Sequence, residues 1–275
     1  MSSVRAVQAR LIDGTKDLNP LETGFIAGVL DGSASFSCTL DKHKKLLHWS
    51  VRVAAQDATF IVALRVMTGV GQFIELPKRK INVWSLGVLD GFFLLSRILN
   101  HLQIKYRQAS LLLKYKEHTL ISTIKNHKFY SEEMRRLNAL RAFQAQRMDD
   151  ATFVGYFLGL FEVKAVAILI RNEPLLSLSL PPQLLKQIEQ RIGGRINEDA
   201  VVWSGWKAFD GIYDLTKNKL FGLQGTMELI KRYELGELKE EELRKAALPK
   251  DGRYRKVDVK ELTKELDELA KRLKT

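Results

Sequence analysis

Cysteine is almost absent from this sequence, which contains a single one, Cys38, in 275 residues. A lone cysteine excludes an intramolecular disulfide and indicates a reducing compartment. The five histidines are scattered along the chain, so cysteine and histidine do not form the closely spaced pairs of a structural zinc site. Stability must therefore come from a hydrophobic core, for which a hydrophobic content of 45% is sufficient.

Long apolar runs are also missing. No stretch of the chain approaches the roughly 20 uninterrupted apolar residues that cross a bilayer, and the N-terminal residues lack the apolar core of a secretory signal. We therefore expect a folded globular protein that is neither secreted nor embedded in a membrane. The opening MSSVRAVQARL is basic and free of acidic residues, which suits an organellar presequence and equally suits a basic tail.

Acidic residues are too few to balance the basic ones. The chain has 44 lysines and arginines against 32 aspartates and glutamates, a formal net charge of +12. Such a surplus favours a polyanionic partner, because each phosphate that Lys or Arg neutralises releases condensed counterions. Nucleic acid is the leading partner class, and a charge that only keeps the protein soluble is the alternative.

One pattern occurs twice in the chain. The segments GFIAGVLDGSASF at 24–36 and GYFLGLFEVKAVA at 155–167 share two glycines and then an acidic residue, Asp31 or Glu162, in identical spacing. A glycine turn and a VWS segment follow each copy in the same order, at 68–73 and 82–92 in the first half and at 191–196 and 201–212 in the second. Units of this length are too long for a solenoid, so the pattern predicts two similar halves related by a pseudo-twofold axis.

Local patterns predict the parts of the first half. An apolar helix that requires burial on most sides comes first, and the segments that alternate on both sides of a polar turn are typical of a β-hairpin. A helix stopped by Gly69 and Gly71, a second hairpin and two further helices complete the order. The first helix covers residues 24–30, and the first hairpin covers 34–56 with its turn at 41–45. The second helix covers 57–68, and the second hairpin covers 71–88 with its turn at 77–80. The two further helices cover 90–102 and 108–127. This order of elements is typical of an α+β fold.

Two nine-residue segments, IAGVLDGSA at 26–34 and FLGLFEVKA at 157–165, resemble the name motif of the LAGLIDADG homing endonucleases and their maturase relatives. The segment LQIKYRQASLLLK at 102–114 also resembles the family, and the similarity spans residues 21–235. The resemblance implies two pseudo-twofold LAGLIDADG repeats, in which the motif helices pack together at the centre and each half lays a four-stranded antiparallel sheet over nucleic acid as a saddle. The implied repeat interface is formed by Ala27, Gly28, Gly155 and Gly159.

The resemblance also divides the chain into five parts. They are an N-terminal tail (1–20), a first repeat (21–130), a linker (131–150), a second repeat (151–235) and a C-terminal helical extension (236–275). The extension carries an apolar stripe at helical spacing, formed by Leu262, Leu266, Leu269 and Leu273. We expect this stripe to pack on the second repeat, or else to bind a ribosomal or other partner protein.

The positions that carry the chemistry in this family depart from its pattern. The resemblance implies phosphodiester hydrolysis with divalent metals, held by an acidic residue at the eighth position of each motif. Ser33 and Lys164 occupy that position here, and neither group suits a cation that prefers carboxylate ligands. Asp31 and Glu162 lie two residues earlier, on a different face of the helix. We expect them to be helix-end or interface residues, with a rearranged metal site as the alternative, and we expect no catalytic residue, metal or cofactor.

Basic residues lie on or beside the predicted hairpins, where a saddle would meet phosphates. These candidate nucleic-acid contacts are Lys42, Lys44, Lys45, Arg52, Lys78, Arg79 and Lys80. The resemblance implies a further basic residue near the phosphate, at Arg107, and Lys164 would put a fixed positive charge where the family binds a metal. Ordinary solvated turns are the alternative for the group. We expect the four tryptophans to be core residues, and stacking on unpaired bases is the alternative. They are Trp49, Trp84, Trp203 and Trp206.

Retained repeats, lost metal ligands and a positive charge together favour binding without cleavage. The family's cleaving members bind DNA and its maturases bind intron RNA, so the resemblance allows either nucleic acid. We expect a catalytically inactive binder of structured RNA, such as a mitochondrial ribosome component that contacts rRNA, with the mitochondrion preferred to the chloroplast. The alternatives are a group I intron maturase, a homing endonuclease with rearranged metal ligands and a sequence-specific DNA-binding regulator.

Overall fold

The computed structural model describes residues 17–41, 46–118, 124–140, 142–170, 172–239 and 242–243. In this part of the chain, nine α-helices and two four-stranded antiparallel sheets form two halves with the same order of elements, apart from one extra helix in the first half. The α+β fold of two related repeats is therefore confirmed. Most of the predicted tail and extension, with the stripe of leucines, lies outside the described residues. None of the described helices is long and apolar enough to span a membrane.

The first half contains one sheet and five helices. Its strands are β1 (Ser35–Asp41), β2 (Leu46–Ala55), β3 (Gln72–Leu76) and β4 (Ile81–Leu86), which pair in the order β1-β2-β4-β3. Its helices are α1 (Pro20–Ser33), α2 (Ala58–Thr68), α3 (Val88–Ile98), α4 (Tyr106–His118) and α5 (Ile124–Ala139). Helix α1 precedes the sheet and α2 connects the two hairpins. The predicted order of helices and hairpins is thus confirmed, with α5 as an additional helix.

The second half repeats this arrangement. Its strands are β5 (Val166–Ile170), β6 (Glu173–Ser179), β7 (Arg195–Asn197) and β8 (Ala200–Ser204), which pair in the equivalent order β5-β6-β8-β7. Its helices are α6 (Asp150–Lys164), α7 (Pro182–Ile192), α8 (Trp206–Thr216) and α9 (Gly222–Glu234). Helix α6 corresponds to α1, and α9 corresponds to α4. One core of buried apolar residues joins the two halves.

Helix α5 extends the first half beyond the predicted boundary at residue 130. It packs against the edge strand β1, where the Ser131 hydroxyl donates to the carbonyl oxygen of Cys38 at 3.1 Å. The Asn138 amide donates to the carbonyl oxygen of Phe36 at 2.8 Å. These side chains pair backbone groups at the edge of the sheet, which edge strands otherwise leave open. The linker predicted over 131–150 therefore begins with the second half of a helix that belongs to the first repeat.

Capping residues explain where the helices and turns lie. Asn19 and Glu22 form a capping box at the start of α1, because each side chain accepts a hydrogen bond from the other residue's backbone N–H, at 2.9 and 3.0 Å. Gly69 ends α2 in the left-handed conformation, with a φ of 71°, as predicted. The second hairpin turns through Pro77–Arg79, also as predicted. The turn predicted at 41–45 lies largely outside the described residues.

Helices α1 and α6 form the centre of the molecule, and their backbones touch. A methyl group added at Gly28 would overlap the carbonyl oxygen of Tyr156 on α6. One added at Gly159 would overlap the carbonyl oxygen of Phe25 on α1. The same kind of contact occurs one turn earlier on each helix, at Gly24 and Gly155. Since every other residue has a Cβ atom, only glycine allows the two helices to approach this closely.

The C-terminal part of the same contact is asymmetric. Gly32 of α1 faces Val163 of α6, whose methyl group occupies the space that a side chain at Gly32 would need. The two residues are equivalent, since each comes four positions after the second shared glycine of its own repeat, Gly28 or Gly159. Ala27, the remaining residue of the predicted interface, is fully buried on α1. The packing of the pair thus combines glycines shared by both repeats with a glycine and a valine that differ between them.

We predict that Gly28→Ala lowers the free energy of unfolding by about 3 kcal/mol, because the added methyl group would push α1 and α6 apart. Urea denaturation followed by circular dichroism measures this change. Gly211→Ala is the matched control. Gly211 is an exposed residue of α8, and an added methyl group there meets no atom within 4 Å, so alanine should stabilise the helix by about 0.5–1 kcal/mol. Equal stabilities of the two variants would contradict the backbone contact.

Candidate nucleic-acid interface

Each sheet has one face covered by helices and one face directed outward. In the first sheet, Phe36, Trp49 and Trp84 point into the core and are at most 3% exposed. Successive residues of a strand alternate between faces, and the outward residues of β1 and β2 are Ser35, Ser37, Thr39, His48, Ser50, Arg52 and Ala54. The outer side chains of β1 and β2 are therefore mostly polar, whereas the same face of the sheet carries Val83 and Ile81 on β4 and Ile74 and Leu76 on β3.

The predicted contact residues lie in separate places. Arg52 is exposed on the outer face of the first sheet, opposite Ser85 of β4. The basic tip of the second hairpin is exposed at the end of β4 that begins with Ile81, about 14 Å along the strand from Ser85. Arg107 is exposed near the start of α4. The residues of the basic tip are Lys78, Arg79 and Lys80, while Lys42, Lys44 and Lys45 lie outside the described residues.

The C-terminal ends of α1 and α6 lie side by side and carry Ser33 and Lys164. The Ser33 hydroxyl donates to the carbonyl oxygen of Val29 at 3.0 Å, so it is paired within its own helix. Lys164 is exposed. Lys105, just before α4, lies close enough to Lys164 for the two charges to interact. Burial lowers the pKa of Lys105, the Asp31 carboxylate opposes this shift, and the positive charge of Lys164 lowers the pKa further. Two ammonium groups therefore share this end of the helix pair. Sequence reasoning chose Arg107 and missed Lys105.

The carboxylate of Asp31 is buried and fully engaged. It accepts hydrogen bonds from the backbone N–H groups of Gln103, Ile104 and Lys105, at 2.6, 3.0 and 2.7 Å. It also accepts one from the hydroxyl of Tyr156 on α6, at 2.7 Å. Burial raises the pKa of Asp31, and these four hydrogen bonds oppose the shift. Three of these hydrogen bonds end on Oδ2 and one on Oδ1, so the buried Asp31 side chain positions the segment before α4.

Glu162 accepts the equivalent backbone hydrogen bonds in the second half. Its carboxylate accepts hydrogen bonds from the N–H groups of Phe221, Gly222 and Leu223, at 2.9, 2.7 and 3.4 Å, at the start of α9. Burial raises the pKa of Glu162 to about 7, the three N–H donors oppose the shift, and the carboxylate of Asp57 adds to it. The structure thus places both acids at the starts of equivalent helices, α4 and α9, in the helix-end role expected for them.

The residues at the ends of the central helices do not fit the metal ions that the fold family implies. Hard divalent cations require several oxygen ligands, with carboxylates among them. Ser33 offers a hydroxyl already paired with its own helix, while Lys164 and Lys105 offer positive charge. Within the described ranges, no group of three or more His, Cys, Asp or Glu side chains is arranged to hold a metal. The site is cationic, and it suits an anionic ligand.

The tryptophans are mostly core residues, as expected. Trp203 of β8 is 4% exposed, and it packs against Phe157 and Phe161 of the central helix α6. Trp49 and Trp84 take the corresponding inward positions in the first sheet. Trp206, at the start of α8, is partly buried and packs against Phe209 and Tyr233. None of these four rings lies fully open for stacking on a base.

The outer face of the second sheet differs from that of the first. Its edge strand β5 directs Val166, Ile168 and Ile170 outward, with exposed fractions of 51%, 42% and 49%. The register continues this apolar area onto β6, because Ile168 lies opposite Leu175. Sequence reasoning missed this difference, although the alternation within VAILI and the alignment of the two repeats were both visible in the sequence.

The raised pKa of Glu162 makes the stability depend on pH. Because the folded protein holds this proton up to about pH 7, while an unfolded glutamate loses it at about pH 4.3, the folded state binds more protons between these values. The free energy of unfolding should therefore fall as pH rises from 5 to 8. We expect Glu162→Gln, which keeps an acceptor oxygen but does not titrate, to gain about 2 kcal/mol relative to the unchanged protein over this range. Parallel urea-unfolding curves at both pH values would contradict this assignment.

Comparisons with known proteins find structural matches only. No protein-family model matches the chain, and no curated protein matches it. I-SmaMI bound to an uncleaved DNA target in the presence of calcium ions aligns with a TM-score of 0.56 and 13% identity, over 84% of this chain and 97% of that chain. The I-LtrWI LAGLIDADG homing endonuclease bound to target DNA aligns with a TM-score of 0.57 and 13% identity, over 83% and 96%.

A third solved structure, the LAGLIDADG homing endonuclease I-GzeII in complex with its DNA target, aligns with a TM-score of 0.52 and 15% identity, over 92% of this chain and 97% of that chain. All three alignments include both halves of this chain, since each covers far more than half of it. The identities are low, so the likeness concerns the fold. Together with the strand order and the central helix pair, these matches show that the chain has the two-repeat fold of the LAGLIDADG homing endonucleases.

Proposed function

We propose that this protein is a catalytically inactive nucleic-acid-binding protein of the LAGLIDADG fold, which binds structured RNA as a component of a mitochondrial ribosome in contact with rRNA. The observation that carries the proposal is the pair of ammonium groups at the ends of the central helices. Lys164 occupies a position where the resemblance requires a carboxylate, and Lys105 lies close enough to interact with it. The basic net charge of +12 supports a polyanionic ligand.

Binding without cleavage follows from the chemistry of these groups. An ammonium group attracts a phosphate oxygen directly, whereas it repels a divalent cation. Asp31 and Glu162, the nearby acids, already accept backbone hydrogen bonds that hold α4 and α9. Phosphodiester hydrolysis in this family depends on a metal to generate the nucleophile and to stabilise the leaving oxygen. A site of this composition keeps the attraction for the phosphodiester and lacks the groups that hydrolyse it.

The two outer faces support RNA over a DNA duplex. A duplex held by both halves of a saddle would meet equivalent edge strands, whereas β1 here is polar and β5 carries Val166, Ile168 and Ile170 on its outer face. Structured RNA displays 2′-hydroxyl groups in its shallow minor groove. The hydroxyl side chains of β1 and β2 both donate and accept hydrogen bonds, so they suit such a surface. The polar strands β1 and β2 and the cationic helix ends together form the proposed contact area.

We expect Lys164→Glu to weaken binding to a structured RNA hairpin by about tenfold at moderate salt, because it reverses the charge at the helix ends. Lys164→Gln should lower the slope of log Kd against log salt concentration by about 1, as expected for one lost phosphate contact. Fluorescence anisotropy over a salt series measures both effects. Lys186→Glu is the matched control, because Lys186 is exposed on α7, which packs on the covered face of the second sheet. Equal effects of the two charge reversals would contradict the proposal.

The identity of the nucleic acid requires the protein from its native source. Crosslinking and sequencing of the bound nucleic acid, beside sedimentation of the same extract, should recover rRNA in a ribosomal fraction. Intron RNA in light fractions would instead make the protein a maturase. Duplex DNA alone, together with cleavage in magnesium or manganese that Asp31→Asn or Glu162→Gln abolishes, would overturn the proposal in favour of an endonuclease with rearranged ligands.

A further inference from the structure

The outward surface of β5 has no equivalent in the first half. When the two repeats are aligned on their shared glycines, three hydroxyl side chains of β1 are replaced by three aliphatic side chains of β5. The pairs are Ser35 and Val166, Ser37 and Ile168, and Thr39 and Ile170. Aliphatic side chains neither donate nor accept hydrogen bonds, so they do not bind phosphates or the polar edges of bases. The outer residues of β5 therefore do not suit the ligand that would suit those of β1.

The apolar surface extends across the sheet. In register, Val166 lies opposite Ser177, which lies opposite Val202, and Ile168 lies opposite Leu175. We call this surface, formed by Val166, Ile168, Ile170, Leu175 and Val202, the β5 patch. A contiguous apolar area on the outside of a protein marks a site that another polypeptide covers. The strand β5 is also the edge of its sheet, which leaves one side of the patch open to an approaching chain.

We propose that residues 258–274 of this chain cover the β5 patch as an amphipathic helix. The apolar stripe of this segment consists of four leucines at helical spacing, Leu262, Leu266, Leu269 and Leu273. Along a helix, the stripe is about 17 Å long. From Val166 to Ile170 the strand β5 spans about 14 Å, so one stripe is long enough to cover the patch.

The pseudo-twofold relation places a covering segment at this point of the chain. In the first half, α4 is followed by α5, which packs against the edge strand β1. In the second half, α9 corresponds to α4, and residues 235–275 follow it. The described chain contains no counterpart of α5 after α9. The segment 258–274, which carries the leucine stripe, is nearly equal in length to α5. It therefore has the position and the length to reach β5 as α5 reaches β1. Helix α5 lies at the edge of β1 and leaves the polar outer residues Ser35 and Thr39 exposed, whereas the apolar outer residues of β5 favour a helix that covers that face as well.

The connection is long enough to reach the patch. The last described residue, Leu243, is buried in the core, and α9 packs against β5, so the chain leaves from the same half. The backbone from Leu243 to Leu262 spans up to about 60 Å when extended. A globular chain of this size has a diameter of about 50 Å. Residues 244–257 can thus pass around the open edge of β5.

Charge supports one orientation of the helix. At about 100° per residue, Asp258, Glu261 and Glu265 flank one side of the leucine stripe, where Arg272 is the single basic residue among them. On the sheet, Arg195 of β7 is exposed in the same outward row as Val166 and Val202. The acidic flank would face this arginine when the leucines lie on the β5 patch. Lys271 lies on the opposite side of the helix, directed away from the sheet.

Cysteine crosslinking in the full-length chain tests the contact. Ile168→Cys combined with Leu266→Cys should form an intramolecular disulfide on mild oxidation, at a rate independent of protein concentration, identified by peptide mapping. Ile168→Cys combined with Lys271→Cys is the matched control and should crosslink at least about tenfold more slowly. The native Cys38 is buried and should not compete for the crosslink. The unchanged protein, with Cys38 alone, measures any background oxidation. Equal rates for the two pairs, or disulfides formed between two molecules, would overturn the proposal; the latter would indicate a second copy as the occupant.

A labelling experiment tests the same contact without a crosslink. Ile168→Cys should react slowly with a maleimide in the full-length chain, and adding Leu266→Asp should raise the rate about tenfold by releasing the helix. Adding Lys271→Asp should leave the rate unchanged. Identical rates in all three proteins would overturn the proposal and leave the patch available to a partner protein. Both experiments are done without nucleic acid, so their outcome is independent of the proposed RNA-binding function.

Discussion

The contact between the backbones of α1 and α6 is the constraint on which the rest of the structure depends. Gly28 and Gly159 allow each helix to touch a carbonyl oxygen of the other. Each helix ends directly at a strand, α1 at β1 and α6 at β5, so the crossing of the pair determines where both sheets begin. The hydrogen bond from Tyr156 of α6 to Asp31 of α1 adds a polar tie between the repeats. The saddle is therefore positioned by two helices with little freedom to move relative to each other.

The same helix pair explains why the chain has acidic residues at Asp31 and Glu162 while Ser33 and Lys164 occupy the positions where the resemblance implies metal ligands. Asp31 and Glu162 are each held by backbone N–H groups in front of a later helix. Removing either acid would leave buried donors without partners, which is costly whatever the protein binds. Ser33 and Lys164 do not hold a later helix in this way, because the Ser33 hydroxyl is paired within its own helix and Lys164 is exposed. The acids that the fold requires, Asp31 and Glu162, are therefore at different positions of the motif from Ser33 and Lys164, where the resemblance implies metal ligands.

Much of the fold follows from local patterns, since the repeat, the glycine stop at Gly69 and the turn at Pro77–Arg79 were all visible in the sequence. The site was harder to predict. Lys105 and Arg107 are close neighbours in one basic segment, and the tertiary hydrogen bond from the Lys105 N–H to Asp31, which holds this segment beside the central helices, has no local signal in the sequence. The extension of the first repeat through α5 depends likewise on long-range contacts, those of Ser131 and Asn138 with β1. The character of β5 was readable, but only by comparing the halves position by position.

The opposed pair Gly32 and Val163 restricts how the halves can pair. In a symmetric homodimer, each residue of the central helix meets its own copy or a copy of the same neighbours, so any bulky substitution occurs twice. Two copies of α6 would bring a valine from each subunit into a space that here holds one, and two copies of α1 would leave that space underfilled. In this chain the two halves are therefore complementary to each other at this point, and neither is complementary to a second copy of itself.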